Sequence, residues 1–166
     1  MTTTTRRLIA ADIENLLGAQ PKLATAARWD AAFTALIAAL DYDPERDHLV
    51  VAVAPAWAFH AKSRAPHARL LVRSGESGAD LALCDCLADT DFIARRYGRV
   101  VIASGDHEFV SPVAALALAG VAVTVAALAI QASPVLTAMA TDVIWLERPD
   151  AAVVDRDPMR TLLAAV

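Results

Sequence analysis

The sequence predicts a single α/β domain built on a parallel, doubly wound sheet. Strand-like apolar runs alternate with helical patterns along the chain, which is the order typical of βαβ units. Several of these runs are apolar throughout rather than alternating, which indicates strands buried on both faces. The 166 residues fit one domain, and a hydrophobic content of 57% is enough for a core, built mostly from aliphatic side chains because only 5% of the residues are aromatic.

Six strands and five helical segments follow from these patterns. The strands are expected at residues 7–11, 48–54, 69–73, 99–104, 121–127 and 142–146, and the helical segments within residues 29–40, 55–66, 77–97, 107–119 and 133–140. In the first helical segment, Trp29, Phe33 and Leu36 recur at spacings of four and three and form an apolar stripe. The third segment opens with Ser77 and Asp80 in the spacing of a capping box.

An uncharged stretch of 18 residues, 113–130, reaches the lower length limit of a membrane span. Gly120 divides it into an Ala- and Leu-rich half and a β-branched half, so a buried helix followed by a buried strand is expected instead. Gly120 also fits the C′ position at which helices commonly end. The apolar run before Asp12 is too short for a signal peptide core, so we expect a cytoplasmic protein with no membrane association.

Composition sets limits on partners and on covalent cross-links. The net charge of −4 means that any binding of nucleic acid would need a local basic patch. Cys84 and Cys86 are too few for a disulfide framework and lack the CxxC spacing, so reduced, partly buried thiols are expected.

Residues 1–148 are expected to form the domain. Residues 149–166 are expected to form a partly irregular tail whose apolar end could be a short helix. This apolar end and the Ala-rich helix faces could also provide the contact surface of a homodimer.

Three aspartates follow strands of the predicted sheet. Asp12 comes directly after the first strand, Asp106 follows the fourth, and Asp80 begins the helix after the third. In an open parallel sheet, ligands bind beyond the carboxyl ends of the strands, where the strand order reverses. We therefore expect Asp12, Asp80 and Asp106 to share one crevice, with Glu108 near enough to add a fourth carboxylate.

Such a group of carboxylates suits Mg²⁺ or Mn²⁺. Like charges a few ångströms apart resist joint ionisation, and a divalent cation removes that difficulty. Both ions prefer oxygen ligands, keep several waters and can activate a water beside a phosphate group.

Each acid also has a simpler interpretation. Asp80 could be only a capping-box acid, and Asp106 could be only a helix N-cap. Asp12 is harder to explain in this way, because Gly18 and Pro21 indicate a loop after the first strand, which gives the acid no helix to cap.

Three segments in this order resemble the NYN family of ribonuclease-like domains, which are related to PIN nucleases. They are ADIENL at residues 11–16, SGADLAL at 77–83 and SGDHEF at 104–109, the last followed by VSPVAALALAGVAVTV. With the strands between them, the resemblance covers residues 7–146. It implies a PIN-like three-layer α/β/α fold with a central parallel sheet ordered about 3-2-1-4-5, and metal-dependent cleavage of RNA phosphodiester bonds.

The resemblance also implies roles for individual residues. The catalytic metal ligands correspond to Asp12, Asp80 and Asp106. Asn15 matches the asparagine of the D-x-x-N signature, and Ser104 would steady the Asp106 loop by hydrogen bonding. Glu108 stands where the family commonly has aspartate, and its longer side chain could still reach a metal-bound water.

Two positions depart from the family pattern. Glu76 and Ser77 precede Gly78 where a lysine or arginine is frequent, which removes a phosphate contact. His107 occupies a position that usually holds a small residue, and it could be a proton carrier or a solvated residue at a helix start.

Candidate substrate contacts lie around the second and third strands. The cations that could hold phosphates without reading the base sequence are Lys62, Arg64, Arg69 and Arg73, although ordinary solubilising residues have the same pattern. Trp57, Phe59 and His60 could stack bases, but Trp57 and Phe59 also fit core positions. A denser positive cluster, formed by Arg95, Arg96 and Arg99, is expected at the opposite end of the sheet from the acids.

Other function classes remain open at this point. A catalytically weak PIN-like module that binds RNA or protein partners is the main alternative, because the chain is acidic and lacks the frequent lysine. A metal-dependent phosphatase is disfavoured, since Glu14 breaks the D-x-D motif. A dinucleotide-binding enzyme is disfavoured further, since no G-x-G-x-x-G follows the first strand.

Overall fold

The computed structural model of the protein describes residues 6–18 and 23–149. Pro21 and residues 150–166 of the predicted tail lie outside the described residues, so the short helix expected in that tail stays a prediction.

The described residues form a six-stranded parallel sheet covered by helices on both faces. The strands are β1 (Arg7–Asp12), β2 (Asp47–Val53), β3 (Arg69–Val72), β4 (Arg99–Ala103), β5 (Ala122–Leu128) and β6 (Asp142–Leu146). The α-helices are α1 (Ala26–Leu40), α2 (Ala58–Arg64), α3 (Gly78–Leu87), α4 (Thr90–Arg96), α5 (Val110–Leu118) and α6 (Pro134–Met139). The strand order is β3-β2-β1-β4-β5-β6, and every pairing is parallel. The expected fold class is confirmed, and β6 extends the expected order by one strand.

The predicted strands agree with the observed ones to within one residue at each end, because continuous apolar runs mark strands whose two faces are both covered. The apolar stretch 113–130 contains most of α5 and all of β5, as expected. Gly120 follows the C-cap residue of α5 with a φ of 78°, which glycine adopts at no steric cost. None of the helices in the described residues is long and apolar enough to cross a bilayer.

The predicted single helix over residues 77–97 is wrong. It is divided into α3 and α4 at Ala88 and Asp89. The Asp89 side chain accepts a hydrogen bond of 2.9 Å from the backbone N–H of Phe92 and so forms the N-cap of a new helix. The apolar spacing continues across this break, which is why periodicity alone does not reveal it.

Two apolar layers hold the helices to the sheet. On one face, Ile9 and Ala11 of β1 pack with Trp29 and Leu36 of α1. On the other face, β1 contributes Leu8 and Ala10, and the covering side chains are Leu83, Ile93, Leu116 and Leu136 of α3, α4, α5 and α6. Alternate residues of one strand therefore serve opposite layers, which is the period-two pattern of a central strand.

A buried ion pair ties the amino ends of β1 and β2 together. The Arg7 guanidinium donates to both oxygens of Asp47, at 2.8 and 2.6 Å, and also to the carbonyl oxygen of Leu40. Only 1% of the Asp47 side chain is exposed. Burial by itself raises the pKa of Asp47, but the hydrogen bonds from Arg7 and from the Asp43 backbone outweigh it, so the pKa lies below its ordinary value of 3.8.

We predict that Asp47→Asn lowers the free energy of unfolding by about 2 kcal/mol near pH 7, because it leaves the Arg7 charge without its partner. Since the folded pKa of Asp47 is depressed, its contribution is present above pH 3.8 and is lost as the pH falls through the folded pKa. The difference in free energy of unfolding between wild type and variant should therefore shrink below pH 3.8. Urea unfolding at several pH values measures this difference.

The matched control is Asp85→Asn, which removes the carboxylate of an exposed pair with Arg73. It should change stability by less than about 0.5 kcal/mol. An equal loss in both variants would contradict the role given to the buried pair.

Candidate metal-binding cleft

The three predicted aspartates meet at the carboxyl edge of the sheet, where the strand order reverses between β1 and β4. Asp12 is the last residue of β1, and Asp106 lies in the loop that follows β4. Asp80 is in the first turn of α3. The expected shared crevice is therefore present.

This acidic cleft has a volume of about 200 Å³. Its lining residues are Asp12, Glu14, Asn15, Glu76, Ala79, Asp80, Asp106 and Gln131. Five of these side chains are acidic, two carry amides and none is a cation within the described part of the chain. The cleft therefore offers oxygen ligands in an environment of concentrated negative charge.

Asp12 is nearly inaccessible, with 4% of its surface exposed. Its Oδ1 accepts a hydrogen bond of 3.3 Å from the backbone N–H of Asn15, where a short 3₁₀ turn, Asn15–Leu17, begins. The expectation that no helix follows for Asp12 to cap is thus wrong, because a helical turn follows β1 almost at once and its first backbone N–H donates to Asp12. Gly18 ends this turn with a φ of 66°.

The carboxyl groups of Asp12 and Asp80 lie close enough that each shifts the pKa of the other. Burial, then the charge of Asp80 and the hydrogen bond with it, raises the pKa of Asp12 well above 3.8. The pKa of Asp80 is also raised, by burial and by the charges of Asp106, Glu108 and Glu14, although the bond to Asp12 opposes this. Without a cation, two carboxylates held this close together cannot both ionise cheaply, which is why the pKa values of both lie above the ordinary value.

Asp80 has a buried oxygen without a partner. Its Oδ1 is inaccessible to solvent and receives no hydrogen bond from any described residue. The capping box expected at this helix does not form, since the Ser77 side chain makes no capping bond to the first turn of α3. Helix capping therefore does not account for Asp80, and a buried acceptor without a donor is a costly arrangement that a bound cation would relieve.

Asp106 does act as a helix cap, as one interpretation expected. Its Oδ1 accepts from the backbone N–H of Glu108 at 3.0 Å and begins the 3₁₀ turn His107–Phe109. Ser104 accepts a bond of 3.2 Å from the Asp106 backbone N–H, so the steadying contact predicted for Ser104 is present. Ser104 is completely buried, which makes it a support of the loop rather than a surface for substrate.

Asn15 and Gly105 join the β1 and β4 loops. The Asn15 side-chain oxygen accepts a bond of 2.8 Å from the Gly105 backbone N–H. A Cβ at position 105 would lie 2.8 Å from the Cα of Ala132, so only glycine allows the β4 loop to approach the segment after β5 this closely. Asn15 thus holds Asp12 and Asp106 on opposite sides of one cleft.

Glu108 lies just outside the lining, although its charge acts on Asp80. Three further side chains line the cleft that were not predicted from the sequence, Glu14, Glu76 and Gln131. Glu14 also accepts a bond of 2.9 Å from the backbone N–H of Ala54, which links the β1 and β2 loops. Gln131 follows β5, and that position at a strand's carboxyl end was a usable signal.

Three of the four cations predicted to hold substrate are bound elsewhere, and the fourth, Arg69, lines a different pocket. The Lys62 ammonium donates to the carbonyl oxygens of Pro66 and Ala68. Arg64 pairs with Asp30 at 2.6 Å, and Arg73 pairs with Asp85 at 2.9 Å. None of the three lines the acidic cleft, so this geometry does not support the prediction that Lys62, Arg64 and Arg73 hold substrate phosphates near the acids.

The candidate stacking residues also lie outside the cleft. Trp57 is half-buried and stacks on Trp29, with ring centroids 6.5 Å apart. His60 is hydrogen-bonded to Asp30 at 2.9 Å. Phe59 is 89% exposed, so a core position for Phe59 is wrong, because its side chain points away from the packed face of α2.

Both cysteines are free and partly buried, as expected. Burial first, and then the charge of Asp80, raises the pKa of the Cys84 thiol to about 11. Cys84 is thus a neutral thiol near pH 7 and not a thiolate ligand for a metal.

Residues 6–18 and 23–149 contain no group of three His, Cys, Asp or Glu side chains already arranged around a metal position. The chemistry of the cleft nevertheless fits Mg²⁺ or Mn²⁺, since its donors are hard oxygens and one of them, Asp80 Oδ1, has no partner. Occupancy would require both carboxyl groups to be ionised and to turn toward the ion.

No family model matches the chain, and no curated protein matches it. Among solved structures, a protein of unknown function from Vibrio parahaemolyticus is similar, with a TM-score of 0.59. The two sequences are 14% identical over an alignment that covers 90% of this chain and 98% of the other. This likeness supports the fold and carries no information about activity.

We predict that Asn15→Ala destabilises the protein by about 1.5 kcal/mol, because the Gly105 N–H loses its acceptor in a partly buried position. Urea unfolding gives the stability, and hydrogen exchange at the Gly105 amide should become faster. Ser63→Ala, which removes an exposed hydrogen bond to the carbonyl oxygen of His60, is the control and should cost less than about 0.5 kcal/mol. An unchanged exchange rate at Gly105 would contradict the joining role of Asn15.

We predict that Asp12→Asn stabilises the metal-free protein by about 1 kcal/mol or more at pH 8, because the amide can donate to Asp80 without needing an extra proton. Since the folded pKa of Asp12 is raised, its favourable contribution is present at low pH and is lost as the pH rises through that pKa. The gain should therefore be larger at pH 8 than at pH 5 in thermal unfolding with EDTA. A loss of stability at both pH values would show that the carboxyl pair is not a source of strain.

Proposed function

We propose that the protein is a Mg²⁺- or Mn²⁺-dependent ribonuclease of the NYN or PIN-like type that hydrolyses RNA phosphodiester bonds. The observation that carries the proposal is the convergence of Asp12, Asp80 and Asp106 in one cleft at the switch point of a parallel sheet. The resemblance of the three acid-bearing segments to that family adds the reaction class.

In this proposal the three aspartates hold the metal, directly or through its waters. Asp80 would contribute the oxygen that otherwise has no partner, and Asp12 would bind as the carboxylate, which a cation stabilises against its raised pKa. A bound ion would supply a water of lowered pKa and positive charge beside the scissile phosphate.

The other polar residues have positioning roles in the proposal. Asn15 keeps the β1 and β4 loops together through its bond to Gly105, and Ser104 sets the conformation of the loop that carries Asp106. Glu14, anchored on Ala54, and Glu108 add negative charge at the rim, which strengthens attraction for a cation. These contacts place the acids before any substrate arrives.

The absence of cations from the described lining has a consequence for RNA binding. A polyanion entering the acidic cleft would be repelled until a divalent ion neutralises the carboxylates. Because Lys62, Arg64 and Arg73 are bound elsewhere, few phosphate contacts remain, and the salt dependence of RNA binding should be shallow. The proposed setting is the cytoplasm, with RNA as partner.

The lack of cations in the described lining also favours a second candidate, a catalytically weak PIN-like module that binds RNA or a protein. An enzyme that processes RNA quickly needs groups to position the phosphates, and the described lining has no cation for this. A metal could then stabilise the fold without supporting rapid hydrolysis.

We predict that purified protein degrades single-stranded RNA in Mn²⁺ or Mg²⁺ and that EDTA stops the reaction. Asp12→Asn and Asp80→Asn should each lower the rate by about 100-fold or more, because each removes a charged ligand. Mn²⁺ should also raise the melting temperature of the wild type, and this shift should be smaller in both variants.

Asp85→Asn is the control for the activity assay, since Asp85 lies on the same helix as Asp80 but outside the cleft. It should retain the wild-type rate. Equal degradation by Asp12→Asn and the wild type would indicate a contaminating nuclease and defeat the proposal. A Mn²⁺-dependent rise in melting temperature without cleavage would favour the binding module.

A further inference from the structure

A second and larger pocket, of about 570 Å³, lies near the amino edge of the sheet. Its floor includes Leu8 of β1 and Val50 of β2, and one wall is formed by Phe92 and Tyr97. The acidic cleft is at the carboxyl edge, so the two sites lie toward opposite ends of the same parallel strands.

The break between α3 and α4 creates this pocket. The ten residues of α3 extend about 15 Å, whereas the seven residues of β2 extend about 23 Å. Since α3 begins at the carboxyl edge, it ends before covering the amino half of β2. After Asp89 the chain turns into α4, whose Ile93 packs in the core while Phe92 and Arg96 stay exposed along the opening.

The pocket carries positive charge in a chain whose net charge is −4. The charge comes from Arg69 and Arg96, which both line it. Within the described part of the chain its one acidic lining residue is Asp47, whose carboxylate is already bound by Arg7 and by the Asp43 backbone N–H. An anionic group entering from solvent would therefore meet guanidinium groups and no uncompensated carboxylate.

The exposed aromatic ring of Phe92 lies beside one of these arginines. Phe92 is 47% exposed, and the Arg96 guanidinium carbon lies 5.9 Å from the centre of its ring. The Tyr97 hydroxyl is 2.7 Å from His48 Nδ1. Burial, and then the charges of Arg6 and Arg96, lowers the pKa of His48, so near pH 7 this imidazole is an uncharged group able to donate or accept a hydrogen bond.

We propose that this pocket binds a mononucleotide, with its phosphate held by Arg69 and Arg96 and its base against Phe92 and the Leu8–Val50 floor. A pocket of this volume is of the size that takes small organic ligands. Paired arginines suit the phosphate, and an aromatic side chain with an adjacent arginine suits a base. The proposal does not depend on the ribonuclease proposal.

Isothermal titration calorimetry with AMP and UMP tests the proposal, with EDTA present so that no metal bridges a nucleotide to the acidic cleft. At least one nucleotide should bind with a sub-millimolar Kd. The matching nucleoside and inorganic phosphate should each bind at least about tenfold more weakly, because each satisfies only one part of the pocket.

The variants Arg69→Gln and Arg96→Gln should each weaken nucleotide binding by about tenfold, since each removes one charge-assisted hydrogen bond. Phe92→Ala should weaken nucleotide binding but leave the affinity for inorganic phosphate unchanged. Arg95→Gln is the matched control, because Arg95 is exposed on the same helix but does not line the pocket. The nucleotide affinity of this variant should stay within about twofold of wild type. Circular dichroism and melting temperature establish that each variant is folded.

Four results would overturn the proposal. The first is that neither nucleotide binds at millimolar concentration, and the second is that inorganic phosphate binds as tightly as the nucleotide. The third is an equal loss of nucleotide affinity in Arg95→Gln and Arg96→Gln. The fourth is that a 5′-phosphorylated RNA oligomer binds while the mononucleotides do not. The second would indicate a simple anion site, and the fourth a surface for an RNA strand.

Discussion

Strand β1 pairs in parallel with β2 on one side and with β4 on the other, and the remaining features of the molecule depend on this central position. Because β1 is enclosed by two strands and two helical layers, its residues from Leu8 to Asp12 are all buried. The chain leaves β1 toward one face and β4 toward the other, so the loops after these strands diverge. The crevice between them is where Asp12 and Asp106 come together with Asp80.

The two edges of the sheet have opposite electrostatic character. At the amino edge, Asp47 is buried with a full complement of donors, so its charge stabilises the fold. At the carboxyl edge, Asp12 is buried beside the partly buried Asp80 with few donors, and the pKa of each carboxyl group is raised. The first arrangement is typical of a structural ion pair, and the second, a group of carboxyls with raised pKa values, is typical of functional sites. Similar side chains thus have opposite roles because of their partners.

Most of the fold could be predicted because its signals are local. Continuous apolar runs such as VVIA and the division at Gly120 placed the strands to within one residue. The break at Asp89 was missed because the apolar spacing continues through it, and with the break the amino-edge pocket was missed. The shared cleft of Asp12, Asp80 and Asp106 was predictable from strand ends. Gln131 follows a strand end too and was overlooked, whereas Glu76 precedes a helix and only the loop geometry brings it to the cleft.

The sequence alone determined the α/β class, the strand positions and the set of acids at the carboxyl ends of the strands, because periodicity and residue order are properties of the chain itself. Only the tertiary structure decided which charges are compensated. In the folded protein, partners outside the cleft bind Lys62, Arg64 and Arg73. Asp47 pairs with Arg7, whereas Asp80 Oδ1 has no donor among the described residues. The physical reason is that a charge acts over a few ångströms in space, and those distances are set by residues far apart in the chain.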